Sequence, residues 1–366
     1  MDRNSYDNEG YSALDVPTTA ALQYVRDTAA AAARRAAASR AIVEISPEAA
    51  RTLLVVDAGC DMPSSWLAKH NVAVVPVDLV LGTEQARDQG DELNRMRFAE
   101  RLSGPASERP SVLEIIPPRP VQIRDFVQTW MTPTIDFVVQ LTFSATRSSV
   151  YLGSLAASQS LMLIHNKVRR SLGAIGPLRA WVIDSFTGLA GMGVLIAHAV
   201  RLRDAGVPAG DIARVLEDFR KQVRTLMVPD DLGYLFRALQ KQRVSGEGLS
   251  RWKYWWAKLL DLRPVLIAER GSGGMLTRVK SFDAARERAL AIAARHVALG
   301  LSTPTVCVSV AGDSNALRET RGFALLSAEC KRHRIELILT PMSMIGCVKL
   351  GPRAISVAFA SERFHG

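Results

Sequence analysis

Residues 53–63 read Leu-Leu-Val-Val-Asp-Ala-Gly-Cys-Asp-Met-Pro. The uninterrupted apolar run that ends at Asp57 predicts a buried parallel strand, and the Asp-Ala-Gly that closes it predicts a turn. In open α/β sheets, ligands collect outside the carboxyl ends of the strands, so Asp57 and Asp61 lie where a site is expected. Both carboxylates could instead cap the following helix, and for Asp61 that alternative is at least as well supported.

Strand and helix patterns alternate from residue 52 onward, which predicts an α/β sheet in the first half of the chain. The predicted strands are 53–57, 72–81, 135–142, 179–184, 305–310, 335–340 and 354–360. The predicted helices are 64–69, 92–102, 121–130, 148–162, 189–205, 209–226, 251–260, 282–299 and 315–332. In residues 229–281 the strand and helix patterns are less regular than in the rest of the chain after residue 52.

The domain organisation follows from this alternation. Residues 1–51 form an Ala/Arg-rich N-terminal extension with good helix propensity and few large apolar residues. Residues 52–206 are predicted to form an N-terminal α/β/α parallel-sheet domain. Residues 207–366 are predicted to form a C-terminal α+β domain, and Gly206-Val207-Pro208-Ala209-Gly210 is predicted to be a hinge or a helix–helix turn.

The composition indicates a globular protein, with 48% apolar and 22% charged residues among 366. No apolar run reaches the ~18 residues of a transmembrane helix, and the N-terminus lacks the apolar core of a secretory signal. The four cysteines show no Cys-x-x-Cys spacing, which favours reduced thiols and a cytoplasmic location. The net charge of +10 comes without a nucleic-acid-binding motif, so we expect solvated basic faces and no nucleic acid partner.

Two further segments place polar residues at predicted strand ends. Asp184 and Ser185 follow an apolar run and lead into a glycine-containing helix whose spacing is not a nucleotide-binding fingerprint. Residues 143–151 leave another strand and open a helix, where hydroxyls and free N–H groups can bind an anion. Ordinary N-capping by Ser148 or Ser149 is the alternative for that loop.

Taken in order, these segments resemble the DegV family. Asp57, Asp61 and Pro63 match its Asp-Ser-x-x-Asp-Leu-Pro start, and Asp184-Ser185 match a later Asp-Ser. The loop at 143–151 resembles the family's Ser-Ser-x-Leu-Ser-Gly-Thr, and Ser144 and Ser149 match it. In the family this loop supplies a hydroxyl to the carboxylate of the ligand, and the resemblance assigns that role to Ser144. The resemblance spans about residues 53–360.

Two cationic positions of the chain differ from the family pattern, and a third matches it. Pro118 or Arg119 stands where the family has a Thr, and Arg119 either replaces the lost hydroxyl with a planar guanidinium or the site is altered. Arg243 matches the Arg of the family's Gly-Gly-Arg-Ile, near a tryptophan-rich segment at 252–256. Lys349 falls where many members carry His, and it keeps the cationic character.

The resemblance implies a two-domain fold that holds one long-chain fatty acid and presents its carboxylate to a separate ATP-dependent kinase. No cofactor other than the bound fatty acid is implied, and the chain would be a binding subunit rather than an enzyme. A more anionic acyl ligand, or a hydrolase or transferase in the same crevice, remains an alternative, as does transient contact with a membrane surface. The candidate ligand-binding residues are Asp57, Arg119, Ser144, Arg147, Ser148, Ser149, Asp184, Ser185, Arg243 and Lys349.

Overall fold

The computed structural model describes residues 49–104, 113–132, 134–171, 176–230 and 263–364. The N-terminal extension up to residue 48, the helix predicted at 251–260, the tryptophan-rich segment and Arg243 lie outside these residues. Within the described part of the chain, no helix combines the length and the apolar character needed to cross a membrane.

The first sheet is parallel and consists of β1 (Thr52–Asp57), β2 (Val72–Val75), β6 (Phe137–Thr142) and β7 (Arg179–Asp184), in the order β2-β1-β6-β7. All six residues of β1 are buried, which agrees with the continuous apolar run of its sequence. The carboxyl ends of β1, β6 and β7 lie side by side, because their registers pair residue for residue. This edge brings together the segments that the sequence predicted to carry the site.

Helices cover both faces of the parallel sheet, which confirms the predicted α/β/α arrangement. One face packs its apolar side chains against α3 (Pro120–Gln128) and α4 (Val150–Ser171). The other packs against α5 (Ala190–Asp204) and α6 (Ala209–Phe219), and the short α1 (Ser64–Lys69) connects β1 to β2.

A small antiparallel sheet was not predicted from the sequence. It consists of β3 (Val77–Leu81), β4 (Glu84–Asp88) and β5 (Leu113–Ile116), in the order β4-β3-β5, and α2 (Glu92–Ser103) follows β4. The single strand predicted at 72–81 is therefore wrong. Pro76 has no N–H to donate, and the chain leaves the parallel sheet at this residue to enter the small one.

The second large sheet is mixed and comprises β8 (Val223–Val228), β9 (Arg263–Glu269), β10 (Ser272–Val279), β11 (Thr305–Val310), β12 (Glu336–Pro341) and β13 (Ile355–Ala360). Its order is β10-β9-β8-β13-β11-β12. The predicted helix 209–226 is too long, because residues 223–228 are paired on both sides by β9 and β13. The hairpin β9–β10 lies in the segment that the sequence indicated to be irregular.

Helices of the second half are α7 (Phe282–Leu299), α8 (Ser314–Arg318), α9 (Arg321–Arg332) and α10 (Met344–Leu350). The single helix predicted at 315–332 is divided in two, since the Thr320 side chain accepts a hydrogen bond from the Phe323 N–H and starts α9. Helix α10 was not predicted. Ser343 caps it by accepting from the Gly346 N–H.

Helix α5 lies between the two large sheets and is buried at nearly every position. A Cβ at Gly191 would lie 2.2 Å from Oγ1 of Thr225 on β8, and one at Gly193 would lie 2.9 Å from the carbonyl oxygen of Asp61. These glycines therefore permit α5 to approach β8 and the turn after β1 closely. The division into 52–206 and 207–366 remains a proposal, because α5 packs on both sides of it.

Candidate functional site

A cavity of about 460 Å³ opens where the parallel sheet, the small sheet and α10 meet. Ligand pockets commonly measure roughly 300–1,000 Å³, so the cavity can hold a small organic molecule. Its walls are largely apolar and include Val77, Leu113, Ile115, Pro117, Phe143, Val150, Leu152, Ile345 and Val348. Its polar groups include Asp57, Glu114, Thr146, Arg147, Ser148, Ser149 and Lys349.

Asp57 ends β1 at the wall of this cavity and is fully buried. Its Oδ1 accepts a hydrogen bond from the Gly59 N–H at 2.8 Å, and its Oδ2 accepts one from the Phe143 N–H at 2.6 Å. Burial raises the pKa of the carboxyl to about 6, and the two hydrogen bonds oppose that rise. Asp57 therefore joins the turn after β1 to the end of β6, and it does not cap α1.

Lys349 on α10 brings a cation to the cavity. Its Nζ lies 4.8 Å from the centroid of the Phe143 ring and donates a hydrogen bond to the carbonyl oxygen of Arg147 at 3.3 Å. Burial lowers the pKa of Lys349 to about 8, the Arg147 guanidinium adds to that effect, and the Asp57 carboxylate opposes it. The ammonium is thus mostly charged at neutral pH, and an anion in the cavity would stabilise it.

The loop from β6 to α4 supplies the second cation and two hydroxyls. Arg147, Ser148 and Ser149 all line the cavity, and burial lowers the pKa of Arg147. The Oγ of Ser148 accepts a hydrogen bond at 3.3 Å from the N–H of Val150, the first residue of α4, so Ser148 supports the start of this helix. The N-terminus of α4, the positive end of its helix dipole, therefore faces the same end of the cavity as the two cations.

Ser144 lies beneath this loop rather than on the cavity wall. Its N–H donates to the carbonyl oxygen of Thr187 at 2.8 Å, and its hydroxyl lies 3.0 Å from the hydroxyl of Thr146. Only 1% of Ser144 is exposed. The structure thus gives Ser144 a part in holding the loop, while Ser148 and Ser149 reach the cavity.

Asp184 and Ser185 also hold backbone rather than line the cavity. Oδ1 of Asp184 accepts hydrogen bonds from the N–H groups of Ala145 at 3.1 Å and Phe186 at 3.0 Å. The Ser185 hydroxyl donates to the carbonyl oxygen of Thr187 at 3.0 Å. Both residues therefore shape the loop that carries Arg147.

Arg119 is not brought to the cavity. It precedes α3 on the surface, where its N–H donates to Oε1 of Gln122 at 2.9 Å, although Pro117 two residues earlier does line the cavity. Of the ten candidate residues, Asp57, Arg147, Ser148, Ser149 and Lys349 meet at one cavity. Arg243 lies outside the described residues.

Comparisons with known proteins agree with this architecture. The profile of a family described as "Uncharacterised protein, DegV family" matches residues 51–362. The chain belongs to the DegV family. A DegV domain-containing protein of Xanthomonas axonopodis pv. citri is 32% identical over 309 residues, which cover 84% of this chain and 97% of that protein.

Solved DegV structures share the fold. Bacillus subtilis DegV, described as a fatty acid binding protein, superposes with a TM-score of 0.66 at 16% identity, covering 85% of this chain and 99% of that one. The fatty acid kinase B3 protein of Streptococcus pneumoniae, loaded with linoleic acid, superposes with a TM-score of 0.61 at 15% identity, covering 84% and 99%. The two-part α/β fold predicted from the DegV resemblance is confirmed.

Asp61, the second carboxylate of the DegV start motif, has neither of its two predicted roles. It accepts hydrogen bonds from the Ser309 hydroxyl and, at 2.9 Å, from the Ser343 N–H. Helix α1 instead begins after Pro63 without a side-chain cap. Asp61 is fully buried and ties the turn after β1 to the second sheet, because its partners lie at the end of β11 and the start of α10.

Sequence reasoning missed a buried ion pair behind the same turn. Arg95 on α2 pairs with Asp88 at 3.0 Å and donates to the carbonyl oxygen of Ala58 at 2.8 Å. Asp88 also accepts from the Met344 N–H at 2.8 Å. No local signal reveals this last contact, because its partners lie 256 residues apart in the sequence.

Within the part of the chain that the structure describes, the cysteines and potential metal ligands form no second site. All four cysteines are free and buried, and burial raises the pKa of the Cys347 thiol, so a reactive thiolate is not formed there. Among the described residues, no group of His, Cys, Asp and Glu is placed to bind a metal ion.

Proposed function

We propose that this chain binds one long-chain fatty acid in the cavity of about 460 Å³, with the carboxylate at the end formed by Arg147 and Lys349. The observation that carries the proposal is the asymmetry of the cavity: most of its wall is apolar, and the two cations lie together with Ser148, Ser149 and the N-terminus of α4. An acyl chain gains roughly 0.8 kcal/mol per buried CH₂, while a few polar groups suffice to orient the head group.

The charges at the cavity favour a single carboxylate over a more anionic head group. Arg147 and Lys349 carry two positive charges, and the buried Asp57 carboxylate balances one of them. Glu114 lines the same cavity and is exposed, so the charged groups of the lining already include two carboxylates. A head group with two or more negative charges would add an excess of negative charge there, and such an excess is costly where it is buried.

The described residues support binding rather than catalysis. The hydroxyl of Ser144 lies next to another hydroxyl, Thr146, and no acid or base accompanies it. The related Streptococcus pneumoniae protein is named as part of a fatty acid kinase. We therefore propose that this chain presents its ligand to a separate kinase, and an ATP-dependent partner would place both proteins in the cytoplasm.

The first experiment is denaturing extraction of the purified protein, followed by mass spectrometry of the lipids. We expect one fatty acid per chain. A phosphorylated or CoA-linked acyl group would favour the more anionic ligand instead. A protein that stays empty after incubation with mixed fatty acids would overturn the proposal.

A variant series then tests the position of the head group. Lys349→Met should weaken oleate binding at least tenfold, because a charge-assisted hydrogen bond contributes about 1.5–3 kcal/mol and a tenfold change in affinity corresponds to about 1.4 kcal/mol. Lys69→Met is the matched control, since Lys69 is exposed at the end of α1. Equal affinities of the two variants would exclude Lys349 from the head-group site.

A further inference from the structure

Gly273 on β10 lies directly under the side chain of Arg147. A Cβ at this position would be 2.0 Å from Nη2 of Arg147 and 3.3 Å from its Cζ, well inside van der Waals contact. The backbone of Gly273 is not in the left-handed region, so its conformation does not require glycine. The neighbouring Gly274 has nothing within 4 Å of such a Cβ. Gly273 is therefore distinguished by the space that it leaves for the guanidinium.

Arg147 is also held at its backbone by the second half of the chain. Nζ of Lys349 donates to the carbonyl oxygen of Arg147 at 3.3 Å. One residue earlier, the Thr146 hydroxyl donates to the carbonyl oxygen of Gly271, in the turn between β9 and β10, at 3.4 Å. The hairpin β9–β10 and helix α10 thus hold this part of the β6–α4 loop from two sides.

We infer that Gly273 is a positioning residue for Arg147: the absence of its side chain lets the guanidinium lie against β10 and face the end of the cavity. The second sheet thereby sets where the charge of Arg147 stands relative to the ligand. The effect on ligand affinity rests on the proposed function, whereas the seating of Arg147 does not. Gly273 touches the ligand only through Arg147.

The test compares Gly273→Ala with Gly274→Ala. The new methyl group in Gly273→Ala meets the far end of a flexible side chain, so Arg147 is displaced while the thermal unfolding midpoint changes little. We expect Gly273→Ala to weaken oleate binding about tenfold, and Gly274→Ala to bind within twofold of wild type. Methyl oleate, which carries no charge, should bind both variants equally. Equal losses in the two variants would overturn the inference.

A double-variant cycle separates positioning from general damage. On an Arg147→Ala background, Gly273→Ala has no guanidinium to displace and should cause no further loss of oleate affinity. A loss of the same size on both backgrounds would show that Gly273 acts without Arg147 and would contradict the inference.

A ligand-free measurement keeps the inference separate from the proposed function. The charged groups that act on Lys349 are Arg147, which lowers its pKa, and Asp57, which raises it. Displacing Arg147 should raise the pKa of Lys349 in Gly273→Ala but not in Gly274→Ala, as measured by NMR on lysine-labelled protein with the signal assigned through Lys349→Met. If this shift occurs in a protein that binds no fatty acid, the inference that Gly273 positions Arg147 is supported and the proposed function is wrong. If fatty acid binds and the shift is absent, the proposed function is retained and only the inference about Gly273 is wrong.

Discussion

Two loops leave the same edge of the parallel sheet and use their polar residues in opposite ways. In the turn after β1, both oxygens of Asp57 accept backbone N–H groups, and Asp61 accepts from the start of α10 and the end of β11. In the loop after β6, Arg147, Ser148 and Ser149 reach the cavity. The first loop holds neighbouring backbone segments together, and the second faces the cavity.

The difference follows from burial. A fully buried carboxylate must find hydrogen-bond donors within the protein, and the closest donors at a strand end are backbone N–H groups. A half-buried guanidinium can keep part of its surface toward a cavity. Substitutions in the first loop should therefore lower stability, and substitutions in the second should mainly lower affinity.

The largest effect is expected behind the first loop, at the buried ion pair. Arg95→Met leaves Asp88 as an unpaired buried charge and removes the donor to the Ala58 carbonyl, so the free energy of unfolding should fall by about 4 kcal/mol. Arg87→Met is the matched control, since it breaks the exposed pair with Asp78 and should cost no more than about 1 kcal/mol. Chemical denaturation of both variants measures the difference, and equal midpoints would break the comparison.

Asp57→Ala should lower the free energy of unfolding by about 3 kcal/mol, because it leaves the buried N–H groups of Gly59 and Phe143 without an acceptor. Each buried N–H group without an acceptor costs roughly 1–3 kcal/mol. The counterpart of Asp57→Ala in the second loop is Ser149→Ala, which we expect to change stability by less than about 0.5 kcal/mol. Thermal unfolding of the ligand-free proteins tests the pair. A Ser149→Ala variant as unstable as Asp57→Ala would mean that both loops serve the fold alike.

The pH dependence of the free energy of unfolding tests whether the buried Asp61 carboxyl keeps its proton in the folded state. Burial raises its pKa to about 6 from 3.8, so the folded state keeps a proton that the unfolded state has already lost. This contribution is present below about pH 4 and is lost as the pH rises through about 6, which amounts to about 3 kcal/mol over that interval. Asp61→Asn does not titrate and should lack this part of the wild-type curve. Parallel curves for the two proteins would refute the assignment.

The smallest effect is expected at the cap of α4. Ser148→Ala removes the acceptor of the Val150 N–H and should lower the free energy of unfolding by about 1 kcal/mol. Because Ser148 also lines the cavity, the oleate affinity of this variant should fall as well, unlike that of Arg87→Met, whose exposed ion pair lies away from the cavity. Isothermal titration of the variant decides whether Ser148 has both roles.

Much of the fold could be predicted because its strongest signals are local. The apolar run of β1, the strands β6 and β7, and the helices at 92–103 and 282–299 all follow from periodicity within short windows. The errors arise where pairing partners decide the structure. Residues 223–228 are a strand because β9 and β13 flank them, and the sequence of that segment alone is compatible with the end of a helix.

The site was predicted in part for a similar reason. Strand ends indicated the correct edge of the sheet, and the family resemblance pointed to Arg147 and Lys349. The sequence could not show that Asp57 and Asp184 accept hydrogen bonds from backbone N–H groups, since those contacts depend on where the neighbouring loop passes. The role of Gly273 was equally hidden, because glycine on a β-strand gives no indication of which side chain lies above it.

The position of helix α5 between the two large sheets affects how the protein unfolds. Its apolar residues belong to one core that includes side chains of both large sheets, so neither sheet keeps a complete interior without it. The two halves should then melt in a single cooperative transition, and a fragment cut after residue 206 should not persist as an independent unit. The cavity lies between parts of the chain that are expected to unfold together, so a bound acyl chain would stabilise the whole molecule rather than one half of it.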